Sequence, residues 1–134
     1  MKSPAHDTAL FLAALPTFAF GQFGSPTEWG TYVGREPLTP DDVVTVYDTG
    51  GLPDVLIDDV QEPTIQVRVR SADYERGYAK AQEARRALQA ATGVTIEGGQ
   101  VVQWIGQGGI LYIGRDDQDR CLFADNYRMM REYA

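Results

Sequence analysis

Reactive side chains are scarce in this chain, which has one cysteine, Cys121, and one histidine, His6. A lone cysteine excludes a disulfide framework within the chain, and the apolar neighbours of Cys121 read as the setting of a small buried hydrophobe. A nucleophilic thiol needs a base beside it, and a zinc site needs three or four Cys, His or carboxylate ligands. With His6 near the N-terminus, neither chemistry has its parts, and no catalytic residue, metal or cofactor is expected. Long hydrophobic runs are also missing. Ala9 to Phe20 is apolar, but Pro16 splits it and it is too short to span a bilayer. His6 and Asp7 interrupt its approach and no small-x-small cleavage site is evident, so it does not read as a signal peptide, and no membrane partner is expected. Residues 7–15 are predicted instead to form a core-facing helix, with Asp7 as N-cap and Pro16 just past the end. Positive charge is the third scarcity. Twelve Lys and Arg stand against nineteen Asp and Glu, for a net charge of −7. A duplex binder draws most of its affinity from phosphate neutralisation. Here Arg68, Arg70, Lys80, Arg85 and Arg86 are interleaved with Asp73, Glu75 and Glu83, which reads as a mixed-charge face or a subunit contact.

What is present suffices for one core. Residues 1–134 are one domain's length, and 43% are hydrophobic. Residues 21–40 are rich in glycine and proline and read as a long loop whose Trp29, Tyr32 and Val33 pack onto the domain's surface or line a contact, a subunit contact fitting best. Val43 to Tyr47 is β-branched and aromatic, a strand ending in the turn formers Asp48 to Pro53. Thr64 to Arg70 alternates, with Ile65, Val67 and Val69 on one face and Gln66, Arg68 and Arg70 on the other. Ser71 is the predicted cap of a helix running to about Ala91, its inner stripe including Tyr74, Tyr78, Ala81 and Leu88, with Gly93 as the stop. Strands are predicted at Val101–Gly106, Ile110–Gly114 and Leu122–Glu132, the last two joined by the polar turn 115–120. The order reads as α+β: a mixed or antiparallel sheet with a long helix on one face, plus the N-terminal helix.

Asp48-Thr49-Gly50 after an apolar strand is the tripeptide with which aspartic proteases bring two carboxylates together. Only one copy occurs, so a dyad would need a dimer, and a helix of about 18 residues stands where such proteases need strands. The tripeptide is also rich in turn formers, and a structural turn is the preferred reading. Asp58-Asp59 and Asp116-Asp117-Gln118-Asp119 lack the alternation, glycine and distal glutamate of a calcium loop. Gly98-Gly99 and Gly108-Gly109 precede no Gly-Lys-Ser/Thr and suit bulges or hairpins.

Several stretches, taken in order, resemble the tail terminator and minor capsid (tail completion) proteins of long-tailed bacteriophages. They are Pro40-Asp41-Asp42-Val43-Val44-Thr45-Val46-Tyr47-Asp48-Thr49-Gly50-Gly51, Pro63 to Arg70, Asp73-Tyr74, Tyr78-Ala79-Lys80-Ala81, Leu111 to Asp116, and Asn126-Tyr127-Arg128. The resemblance implies a structural virion protein at the neck end of the tail, assembled in the host cytoplasm. It implies a hexameric ring that caps the tail tube, with the tail tube protein and a head-closure or connector protein as partners. Another neck component, such as a head-closure or tube subunit, is the alternative. DNA would pass through the lumen without specific binding, and six copies would carry about −42 formal charges to discourage its sticking. For contacts between copies, Arg68 and Arg70 opposite Asp58 and Asp59 of a neighbour are the candidates, joined by Trp29 and Tyr32.

Overall fold

The computed structural model describes residues 2–15, 29–52, 60–97 and 99–132. The first helix, α1, spans Pro4–Ala13 and starts earlier than the sequence suggested. Ser3 is its N-cap, accepting from the His6 N–H at 3.1 Å. Pro4 follows in the first turn, where a missing N–H costs nothing. Asp7 is therefore not a cap but a buried residue inside the helix.

Two strands, β1 (Gly30–Val33) and β2 (Val43–Gly51), pair in parallel. The short β3 (Val60–Gln61) leads into β4 (Pro63–Ser71). After β4 comes the second helix, α2 (Tyr74–Ala90), which runs directly into β5 (Thr92–Ile96). The chain ends with β6 (Gly99–Gly106), β7 (Leu111–Arg115) and β8 (Cys121–Glu132). Among the described residues the eight strands belong to one sheet in the order β1-β2-β4-β8-β6-β5, with β3 and β7 also paired to β8. The fold is α+β with a mixed sheet, as its pattern of elements implied.

Three local expectations need correction. Residues 30–33, inside the expected loop, form β1, because its four residues find an open edge of β2. The cap of α2 is Asp73, whose carboxylate accepts from the Arg76 N–H at 2.9 Å; Ser71 ends β4 and accepts from the Asp73 N–H at 3.2 Å. Gly93 does not stop the helix. It lies within β5 at φ +62°, after the C-cap Ala91.

Register sorts the two faces of the sheet. Ile65, Val67 and Val69 of β4 stand opposite Tyr127, Asp125 and Phe123 of β8, and Val44 and Val46 of β2 continue that layer. Ala9 and Leu12 of α1 and Ala81, Ala84 and Leu88 of α2 close over it, so both helices cover the same face. Three polar links run through this layer. Trp104 donates to Thr8 Oγ1 at 3.0 Å, tying β6 to α1. Arg85 of α2 donates to Asp125 at 2.5 Å, and the Tyr127 hydroxyl donates to the same carboxylate at 2.6 Å. Burial, then the adjacent Asp125, raises the Tyr127 phenol well above its ordinary pKa, so it stays a donor. Arg131 of β8 donates to Asp7 at 2.8 Å, to the Lys2 carbonyl at 2.9 Å and to Gln61 at 2.7 Å.

Gly51 is required where β2 ends. Its φ is +113°, and an added Cβ would lie 2.6 Å from the Glu62 carbonyl oxygen. Gly51→Ala is expected to cost about 1–3 kcal/mol, read as a lower midpoint in urea unfolding. Gly50→Ala, at φ +98° but with open space around its Cβ, should cost less than the Gly51 change.

Candidate subunit-contact surface

The face of the sheet away from the helices carries the arginines singled out by sequence. Gln66, Arg68 and Arg70 follow one another there along β4, the first two opposite Tyr47 and Thr45 of β2. Residues 34–42, between β1 and β2, supply partners to this face from within the same chain. Arg70 Nη2 donates to the Pro40 carbonyl at 2.7 Å and its Nε to the Asp41 carbonyl at 3.1 Å, and Glu36 lies 3.9 Å from Nη1. Its side chain is only 2% exposed. Burial, and then repulsion from Arg120, pull the Arg70 pKa down, with Glu36, Asp116 and Asp41 opposing. Arg70 thus acts within the chain as an internal strut. Its position on the polar face of β4 had suggested solvent, but the connection folds back over it.

Two further arginines fix the same connection. Arg120 donates to the Leu38 carbonyl at 2.6 Å and to Asp116 at 2.8 Å. Asp42 accepts from the Ser71 hydroxyl at 2.9 Å and from the Ala72 N–H at 3.1 Å, and pairs with Arg76 of α2. The connection is consequently well anchored although it has no secondary structure of its own.

Of the other expected contact residues, Arg68 is 30% exposed and lies 3.8 Å from Glu36. Tyr32 is half-buried at the outer edge, beside β2. Trp29 is buried, with the Lys80 ammonium 5.3 Å from its ring centroid. Asp58 and Asp59 lie outside the described residues. The structure brings Arg68, Arg70 and Tyr32 to one face but leaves Trp29 under α2's lysine.

Asp48 has a local partner: its carboxylate accepts from the Ala5 N–H at 2.8 Å, where the start of α1 is electropositive. The Asp-Thr-Gly tripeptide also spans an irregularity in the β2–β4 register between Asp48 and Gly50. Asp116 is a turn former as well. Burial disfavours its charge, but the Arg120 and Gln118 N–H groups and the Arg120 guanidinium outweigh this and hold its pKa below the ordinary value. Among the described residues no group of three or more His, Cys, Asp or Glu could hold a metal ion, and no helix is long and apolar enough to cross a membrane.

One feature was missed at the sequence level. β7 pairs only with β8, and its Leu111, Tyr112 and Ile113 are 57%, 40% and 43% exposed. Edge strands in soluble proteins are commonly blunted by charge, proline or a covering segment, whereas three consecutive large apolar residues stand here. Tyr112 is braced from inside by the Tyr74 and Phe123 rings, 5.1 and 5.4 Å away between centroids. The signal was legible as a continuous apolar triplet, but such a triplet equally suits a buried strand. Among the described residues Leu38, 73% exposed, is another large apolar side chain left open, on the connection above β4.

A family described as bacteriophage tail terminator protein matches the chain over residues 15–133. The chain belongs to that family. No curated protein matches the sequence. A tail terminator is a structural part of the phage tail, which agrees with the resemblance seen from Pro40 through Arg128 and with the structural use of Asp48. The matched span takes in all eight strands and α2, the elements that build both faces of the sheet.

Proposed function

We propose that this tail terminator acts as a ring, with six copies the expected number. The ring seats on the last ring of the tail tube, ends its polymerisation and offers its other side to a head-closure or connector protein. The observation that carries the reading is the family match over residues 15–133. The apolar edge of β7 supports it physically, because such an edge is covered in a working protein. Tyr32 and Arg68 keep accessible surface, and we assign them to contacts with neighbouring subunits. The net charge of −7 per chain suits a lumen through which DNA passes without adhering.

Mixing the purified protein with polymerising tail tube subunits tests this. Electron microscopy should show tubes of limited length carrying an extra ring at one end. Tubes that grow unchecked at saturating protein would refute the capping role.

A further inference from the structure

A groove of about 290 Å³ runs between α2 and the turn that joins β6 to β7. Tyr78, Gln82, Arg85, Arg86 and Gln89 form one wall, because these positions fall on a single side of α2, and the turn forms the other. Each side chain of the helix wall can donate a hydrogen bond. No carboxylate lines the groove, in a chain where acids outnumber bases nineteen to twelve. Arg85 is the fixed member. Its Nη1 donates to Asp125 and its Nη2 to the Gly108 carbonyl at 2.6 Å, and its guanidinium lies over the Tyr127 ring. β6 makes room for this arrangement at Gly106, where an added Cβ would stand 2.5 Å from Arg85 Nη2 and 3.1 Å from Gln89 Oε1. A glycine inside a strand weakens it and often marks a place of close approach; here it lets the two side chains lie along the floor of the groove. Arg86 is exposed and forms no ion pair among the described residues.

We propose that this groove binds a single carboxylate, an aspartate or glutamate side chain on an acidic segment of a partner protein. Charge decides the class of ligand. Asp125, 2% exposed, balances one of the two guanidiniums from beneath, so the groove keeps one net positive charge. One carboxylate completes that charge, with the Gln82 and Gln89 amides and the Tyr78 hydroxyl as further donors. A nucleic acid instead needs several cations spaced along its backbone, and a chain of net charge −7 repels a polyanion at long range. Preorganisation adds to the fit, because Arg85 is already held by two acceptors and loses little freedom on binding. The site goes beyond the capping role and stands whether or not the chain closes into a ring.

The test titrates the wild-type chain at low salt with a Gly-Glu-Gly peptide blocked at both ends, followed by nitrogen-15 NMR. The Arg85 Nε–H and the side-chain amide signals of Gln82 and Gln89 should shift saturably, and added salt should weaken the binding. The neutral Gly-Gln-Gly peptide should leave them in place. Arg86→Gln alters an exposed side chain and should leave thermal unfolding unchanged, yet weaken the acidic peptide about two- to fivefold. Arg86→Lys, which keeps the charge, should recover most of that loss. No saturable shift, equal binding of the neutral peptide, or wild-type affinity in Arg86→Gln would overturn the site. Inorganic phosphate or a short DNA duplex that produces the same shifts at lower concentration would overturn the carboxylate as its occupant.

Discussion

Arg131→Met is expected to lower the unfolding free energy by about 3–5 kcal/mol at pH 7, because it leaves Asp7 charged, buried and unpaired. Asp7 and Arg131 are 5% and 4% exposed, and their 2.8 Å contact ties α1 to β8. The same guanidinium also serves the Lys2 carbonyl and Gln61, so one change strips three acceptors. The loss should depend on pH with a definite sign. Burial already raises the Asp7 pKa above 3.8 even though Arg131 opposes the shift by hydrogen bond and charge. Without Arg131 that opposition disappears and the folded-state pKa rises further. Between the unfolded and folded values the folded chain holds the extra proton, so its stability falls as pH climbs through that window. Acidification should therefore recover part of the deficit, as Asp7 becomes neutral. Adding Asp7→Leu to Arg131→Met should restore most of the stability at pH 7, since replacing both members of a buried pair by apolar groups is often neutral or better. Urea unfolding of the two variants from pH 5 to pH 8 measures all of this. A pH-independent deficit in the single variant would show that Asp7 is not the group left exposed to the loss.

Leu88→Ala should cost about 2–5 kcal/mol, through lost burial and the cavity left behind. Leu88 is fully buried near the end of α2 and belongs to the core cluster with Val101, Trp104 and Tyr127. The register of β6 on β8 holds Trp104 opposite Met129, so the space beside Leu88 is walled by paired strands that relax poorly. Glu75→Ala, on the exposed first turn of α2, should stay within about 0.5 kcal/mol apart from its small favourable position near the helix N-terminus. Thermal and urea unfolding of the pair would decide the matter, and equal losses would mean that α2 packs by another face.

How far the sequence revealed this structure depended on which residues decide each element. β4 was legible because Ile65, Val67 and Val69 alternate with polar residues, and that period survives in the burial of the strand. Likewise α2 was legible from Ala81, Ala84 and Leu88 at helical spacing. β1 was not, since Gly30-Thr31-Tyr32-Val33 has little period of its own and becomes a strand only by lying along Val43–Val46. β5 was hidden by Gly93, which reads as a helix stop but is used inside a strand. The exposure of the candidate contact residues was legible only in part. Arg68 and Tyr32 keep part of their surface accessible, whereas the burial of Arg70 was not legible, because its partners are backbone carbonyls of Pro40 and Asp41, thirty residues away and carrying no side-chain signature. The exposure of Leu111 to Ile113 went unread for the opposite reason: composition alone cannot tell a covered strand from an open one.

The position of β8 in the sheet has a consequence for synthesis on the ribosome. Cys121–Glu132 borders β3, β4, β6 and β7, so the last strand to be made is the one that joins the rest. A nascent polypeptide ending before Cys121 holds β1, β2 and β4 without their partner, has β6 paired with β5 alone, and leaves β7 unpaired. Folding of this sheet must then wait until β8 has been made, and it is rate-limited by contacts distant in sequence. A product cut short before Cys121 is therefore expected to stay unfolded and open to proteolysis.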